Sequence, residues 1–329
     1  MPGSSTNASG QTARRGRRQY APTSPTTWPI GESVPHHTHD VHFIKGEAMT
    51  ESFSPPSAVS YRSPTAHLWA TVMATARRYV KTSYAYPIEL LPWILNALVS
   101  FVTWSVTYRA SGRETVDGTS ASAFLTLGII GLGTWTSTIW SSGYTLEYER
   151  AGGTIGALFL APVSRAAVIF GYGLGSLLWL APSFIGTLAL GLLTGARFSV
   201  HDPFTPLLAV LTLVLASLAT GFAFAGLFIL SRRANMLANF LQPPIYLLAG
   251  FFVPRAELPG WLYAISNAIP AGHAVEALRA SALRGASLSE IAPSLALALG
   301  VASIYALIGF LSLRRVEYAA KRAGDLDLY

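Results

Sequence analysis

Cysteine is absent from the 329-residue sequence, and lysine occurs only at Lys45, Lys81 and Lys321. Without thiols there is no disulfide, no thiolate zinc site and no cysteine nucleophile, and redox chemistry says nothing of the compartment. The scarcity of lysine excludes a second class. A phosphate-binding loop needs Gly directly before Lys, so that backbone amides and one ammonium cradle the phosphates. The residues before the lysines are Ile44, Val80 and Ala320, so the chain has no such loop with which to hydrolyse ATP. Charge of either sign is also scarce. Charged residues make up 12% and hydrophobic ones 51%, whereas a soluble domain carries about 25% charged residues. So little charge cannot cover a water-facing surface, and lipid is the natural solvent for what remains.

The net charge is +7. Its basic residues lie mainly in the N-terminal tail and in short loops between apolar runs, the pattern of membrane topology and anionic headgroups rather than of nucleic acid. Residues 1–64, rich in Ser, Thr, Pro, Gly and Arg, have no apolar periodicity and read as a disordered cytoplasmic tail. They contain no signal-peptide pattern, and Met49 is a candidate translation start. The cluster His36, His37, His39, Asp40 and His42 has metal-binding residue types, but in such a tail it reads as incidental composition, so no metal site is expected. Over 65–84, Leu68, Val72, Met73, Ala76, Tyr79 and Val80 recur at helical spacing, with Arg77, Arg78 and Lys81 largely off that stripe. This predicts an amphipathic helix in the cytoplasmic interface.

Six long apolar runs follow, at 88–108, 120–142, 166–194, 204–230, 236–253 and 291–313, and Glu89 at the edge of the first is their only charged residue. A span needs about 20 apolar residues, and a charge at its centre costs roughly 2.5–3.5 kcal/mol. The expectation is an all-α integral membrane protein with six transmembrane helices over residues 85–322 and a cytoplasmic tail at 323–329. With the N-terminus inside, the inner flanks hold Arg77, Arg78, Lys81, Arg150, Arg165, Arg232, Arg233, Arg314, Arg315, Lys321 and Arg322. The outer flanks hold fewer: Arg109, Arg113, Arg197, Arg255, Arg279 and Arg284. Both termini are therefore predicted cytoplasmic.

Two connections stand out. In the inner one, Glu147 to Arg165, Gly152 and Gly153 break the helix leaving the second run and Thr154 can cap a new one. Ile155, Leu158, Phe159 and Leu160 would form an exposed apolar ridge, and Pro162 stops the helix. A short ridged helix held at the membrane surface suits a soluble partner's groove. The outer segment, 254–290, holds apolar stretches too short to span, Leu258 to Ile269 and Ala271 to Leu283, punctuated by Pro254, Pro259 and Pro270. Glu276 and Arg279 are spaced to pair on one helix face.

These two segments resemble those of ABC type-2 exporter permeases. Glu149, Arg150, Gly153, Thr154, Leu158, Pro162, Val163 and Ser164 match the family's pattern between the second and third spans, with Ala161 where Thr or Ser is usual. The resemblance implies a coupling helix that docks on a separate ATPase subunit, with Ile155 and Phe159 on the same helix. The stretches Gly250-Phe251-Phe252-Val253-Pro254, Leu258-Pro259-Gly260-Trp261, Ile269-Pro270 and Glu276 to Arg279 resemble the region after the fifth span, which implies a re-entrant extracellular cap. The resemblance covers about 65–322. It implies a permease with no cofactor of its own, ATP and magnesium being bound by the ATPase, and pairing with a second or sister permease in a bacterial plasma membrane. It also implies export of a hydrophobic or amphipathic compound such as a drug, antibiotic or lipid.

Candidate pathway residues are Asn96, Phe101 and Trp104 of the first run, Trp135 and Thr138 of the second, and Asn239, Gln242 and Tyr246 of the fifth. Polar side chains inside a membrane face protein or a cavity. Two other readings fit less well. An intramembrane enzyme needs converging groups at membrane depth, and neither HExxH nor an intramembrane Asp pair is present. A non-transporting sensor or assembly subunit leaves the docking segment without its expected use.

Overall fold

The computed structural model describes residues 64–323 except 230 and 232. The tail with its histidine cluster and Met49, together with the last six residues, lies outside the described residues.

Helix α1 (Pro64–Tyr84) leads through a short 3-10 turn (Pro87–Glu89) into α2 (Leu90–Ala110). A hairpin of two short strands follows, β1 (Thr115–Val116) and β2 (Thr119–Ser120), antiparallel with Thr115 opposite Ser120. Its two turn residues, Asp117 and Gly118, have φ of 52° and 72°. A two-residue hairpin loop needs positive φ at both positions, which Asp-Gly supplies. Ser120 then caps α3 (Ala121–Thr138) by accepting from the Ala123 amide. The helix passes through a π turn (Ile139–Gly143) into α4 (Thr145–Ala151), α5 (Ile155–Leu160), α6 (Arg165–Leu193), α7 (Phe204–Ile229) and α8 (Ala234–Leu248). Two short helices, α9 (Gly260–Ser266) and α10 (Pro270–Leu283), precede the 36-residue α11 (Leu288–Ala323).

Among the described residues, five helices are long and apolar enough to cross a membrane: Pro87–Ala110, Ala121–Gly143, Arg165–Leu193, Phe204–Ile229 and Leu288–Tyr318. The fifth apolar run forms α8, whose 15 residues reach about 22 Å at 1.5 Å per residue, short of a hydrocarbon core of about 30 Å. Helices α3 and α7 are central, and α2 and α11 are mostly exposed. The exposed side of α2 carries Leu95, Leu98, Val99, Val102 and Val106, a surface suited to lipid or to another apolar protein face.

Helix α1 does more than follow the interface. Its buried Ala76 and half-buried Val72, Thr75 and Tyr79 run along α6. The contact is possible because α6 has glycine at two positions one turn apart. A Cβ on Gly171 would stand 2.6 Å from Thr75 Cβ, and one on Gly175 would stand 2.8 Å from Tyr79 Cβ and 2.9 Å from the Ala76 carbonyl. Small residues four apart let two helix backbones approach closely. Replacing Gly175 by Leu should therefore force α1 off α6. Overpacking of this kind costs about 1–3 kcal/mol, to be seen as a lower melting temperature in detergent, while Leu at the uncrowded Gly186 should leave stability unchanged.

Candidate functional site

The segment expected to couple to an ATPase starts where α4 ends. Gly153 takes φ of +69°, the Gly153 amide donates to the Arg150 carbonyl at 3.0 Å, and the Thr154 amide donates to that of Glu149 at 2.9 Å. This is the paired reversal that a glycine just past a helix end makes possible. Thr154 occupies the N-cap position of α5, but its hydroxyl is not the cap expected from its place in the sequence. It donates to the Glu149 carboxylate, which also accepts from the Tyr172 hydroxyl at 3.0 Å. Arg150 is ion-paired with Glu147 at 2.5 Å and reaches the Ile229 carbonyl at the end of α7 at 3.4 Å. At the other end, Ala161 is extended, as a residue before proline tends to be, and Ser164 caps α6.

The apolar ridge expected over Ile155, Leu158, Phe159 and Leu160 is not one exposed face. Ile155 is buried, and Leu158 and Phe159 pack beside it against Leu146, Ile169, Phe222, Ile229, Leu313 and Val316. Arg165 fixes this arrangement by donating to the Phe159 carbonyl at 2.5 Å and pairing with Glu317 at 3.6 Å. What remains outward is Leu160, 88% exposed, with the exposed Ala157 and Pro162. The physical reason is that α6, α7 and α11 offer an apolar surface of the subunit's own within reach of this short helix.

At the opposite end, α8 gives way to the Gly250–Val253 reversal, where Gly250 has φ of +74°. Carbonyls freed by such a break need donors. Arg279, buried in α10, supplies them: its guanidinium donates to Gly250 at 2.6 Å and Phe251 at 2.8 Å, and it also reaches the Phe124 carbonyl within α3 at 3.1 Å and lies 3.5 Å over the Phe124 ring. The Tyr108 hydroxyl donates to the Phe252 carbonyl at 2.6 Å, and Trp104 stacks on Phe252 at 4.9 Å. The expected pairing of Glu276 with Arg279 is not formed. Glu276 instead accepts from Arg255 at 3.1 Å, because Arg279 turns inward to the freed carbonyls while Glu276 stays exposed.

Arg255 and His273 were not among the sequence candidates, yet they organise this cap. Arg255 is buried and donates to Ser266 (3.1 Å), Asn267 (2.6 Å) and His273 Nδ1 (3.1 Å). His273 Nε2 faces the Asn267 carbonyl at 3.1 Å, so the neutral tautomer with its proton on Nε2 satisfies both contacts. Pro254 leads into the turn that carries Arg255, Pro259 and Pro270 stand at the starts of α9 and α10, and Trp261 is exposed. Two ion pairs bind the α2–α3 hairpin to this region: Arg113 to Glu257, bidentate at 2.5 and 2.9 Å, and Arg284 to Asp117.

The pathway candidates separate into two groups. Phe101 and Thr138 are buried, and the Thr138 hydroxyl is used between the Trp135 and Ser217 carbonyls at 2.8 and 3.0 Å. They serve helix packing in this structure, as Trp104 serves the cap. Asn239 is exposed on α8, with its amide donating to the Asn235 carbonyl at 2.8 Å. Tyr246 donates to Gln242 at 2.7 Å and sits edge-on to the buried Trp135 at 6.0 Å. Asn96 is exposed on α2 and lines a small hollow with Trp93, Thr136 and Thr187.

Two expectations test the cap. Arg279→Met should cost about 1–3 kcal/mol for each of the Gly250 and Phe251 carbonyls left without a donor, and Arg279→Lys should recover part of that, both read as melting temperature in detergent. Burial first, and then the Arg255 charge, lower the His273 pKa below its ordinary 6.5. Its contribution is therefore complete above pH 6.5 and is lost as pH falls through the lowered value. Between pH 7.5 and 5 the melting temperature should fall more steeply for the wild type than for His273→Gln.

The family model of ABC-2 type transporters matches residues 67–283, more than half of the chain. The chain is also 23% identical over 256 residues to the daunorubicin resistance ABC transporter permease protein of Streptomyces coeruleorubidus, covering 77% of this chain and 86% of that protein. With several helices apolar enough to cross a membrane and the match running from α1 through α10, the chain belongs to the ABC-2 type transporter family, as a multi-pass membrane subunit of an ABC transporter.

Proposed function

We propose that this chain is the permease of an ATP-driven exporter, in which a separate ABC ATPase docks on α5 and powers outward movement of a hydrophobic or amphipathic compound. The permease catalyses no chemical step; ATP and magnesium belong to the partner. The observation that supports this reading is the construction of the coupling segment. One side of α5 is pinned to the ends of α6, α7 and α11, so a push on the other side moves those helices with it rather than bending a loop. Ala157, Leu160 and Pro162 are the surface on which that push acts.

In this reading both termini are cytoplasmic, the membrane is a bacterial plasma membrane, and α8 with the following reversal completes six crossings. A second copy or a sister permease lies against the first. Asn235, Asn239, Gln242 and Tyr246 recur along one side of α8, which also exposes Met236 and Phe240 to an apolar phase. Amides and hydroxyls at that depth call for protein or water opposite them, and a pathway between two permeases supplies both. Export of a drug or antibiotic is the reading that the daunorubicin resistance relative supports.

The test is co-expression with the cognate ABC ATPase, followed by purification and assay of ATP turnover. The double substitution Ala157→Asp, Leu160→Asp places two charges on the outward side and leaves the pinned side untouched. Loss of co-elution, with the permease still monodisperse and helical, is the expected result. Unchanged co-elution and turnover would remove α5 as the docking site and with it the main support for an ATPase-driven exporter.

A further inference from the structure

A cavity of about 430 Å³ opens between α1, the 3-10 turn, α2, the end of α3, the π turn, α4 and α6, at the end of the bundle that carries α5. That volume falls within the roughly 300–1,000 Å³ of small-molecule sites. Six aromatic side chains line it: Tyr79, Trp93, Trp140, Tyr148, Tyr172 and Trp179. They come from α1, α2, the π turn, α4 and α6, so the lining depends on the tertiary fold and on the α1–α6 contact in particular. Serine hydroxyls fill part of the remainder, and two of them, Ser141 and Ser176, are already bonded to each other at 2.8 Å.

The charge of the cavity has one sign. Glu89 is the one ionisable carboxylate among the described lining residues, and neither Lys nor Arg is among them. Glu89 is exposed and makes no ion pair among the described residues. Trp179 is 4% exposed, yet its indole N–H, a donor, has no hydrogen-bond partner. A buried donor left open in this way marks a place for an acceptor on a ligand or for water.

Aromatic faces carry the negative end of the ring quadrupole, and they attract cations most strongly when water is excluded. A carboxylate at the rim adds to that field. A neutral aromatic compound would gain only stacking here, and an anion would meet repulsion from both. We infer that this cavity is an access site, within a single subunit, for an amphiphilic organic cation with an aromatic body. The inference rests on the permease reading for its use in transport, but the binding itself does not depend on it. The site is separate from the α8 surface assigned above to the pathway between subunits, so it would be filled before the compound reaches that pathway.

Two probes of the same shape and opposite charge separate the possibilities: tetraphenylphosphonium and tetraphenylborate, titrated against the full chain purified with its ATPase and read by tryptophan fluorescence. The wild type should bind the phosphonium saturably and at least tenfold more tightly than the borate. Glu89→Gln, at an exposed position, should weaken phosphonium binding about tenfold and narrow the preference between the ions. Tyr148→Ala, also at an exposed position, should weaken it without narrowing the preference. Equal binding of the two ions, or phosphonium affinity unchanged in both variants, would overturn the site. Co-elution of the ATPase is read on the same samples. A complex that forms but does not bind the phosphonium removes this site and leaves the permease reading, whereas phosphonium binding by a chain that recruits no ATPase leaves the site and removes that reading.

Discussion

A chain that leaves a helix inside an apolar phase must find donors for the carbonyls it frees, and here a single guanidinium meets most of that demand. Arg279 takes the carbonyls of Gly250 and Phe251, and Tyr108 takes that of Phe252. Irregular backbone is tolerated at membrane depth only where protein covers it. The arrangement fixes much else. A Cβ on Gly128 would overlap the Phe251 carbonyl and meet Arg279, so α3 needs a glycine there. Helix α10 must keep its inner face buried, and α2 must carry Tyr108 at the height of the reversal. Once these are set, Arg255 and its partners hold α9 and α10 as one outer body.

The two ends of the molecule are joined by different physics. The outer end is held by directed polar contacts: Arg255 with Ser266, Asn267, His273 and Glu276, and the ion pairs to Glu257 and Asp117. The end that carries α5 adds apolar packing of Ile155, Leu158 and Phe159 to its polar contacts, among them Arg165 with the Phe159 carbonyl and Glu317. Polar networks impose one geometry and resist small shifts, while an apolar contact can slide without losing all its area.

Much of this was legible before any coordinates. The spans are visible because Lys, Arg, Asp and Glu are nearly absent from them, and the two connections because proline and glycine interrupt them. What was misread shares one cause: in a membrane protein an apolar side chain does not declare its neighbour. Ile155, Leu158 and Phe159 have the spacing of a ridge, and lipid, a partner and the subunit's own core would all accept it. Glu276 and Arg279 have the spacing of a pair, yet Arg279 bonds a carbonyl 155 positions away, at Phe124. Helix spacing cannot see an acceptor so far along the chain. The Asp117-Gly118 hairpin was readable from its turn residues alone, but a reading weighted to hydropathy passes over four-residue features. The fifth run was expected to span, yet it forms the 15-residue α8, with Pro243 and Pro244 inside the helix.

The π turn at Ile139–Gly143 has a consequence of a different kind. It holds one residue more than an α-helical turn would, and its serines are tied down, Ser142 to the Ile169 carbonyl at 2.9 Å and Ser141 to Ser176. Everything beyond it, α4 and α5 included, takes its direction from that extra residue. Removing any one residue from this stretch would rotate the remainder by about 100° around the helix axis and turn α4 and α5 to a different face of the molecule. Sequences related to this one should therefore keep the number of residues here, so that gaps in an alignment would avoid these five positions.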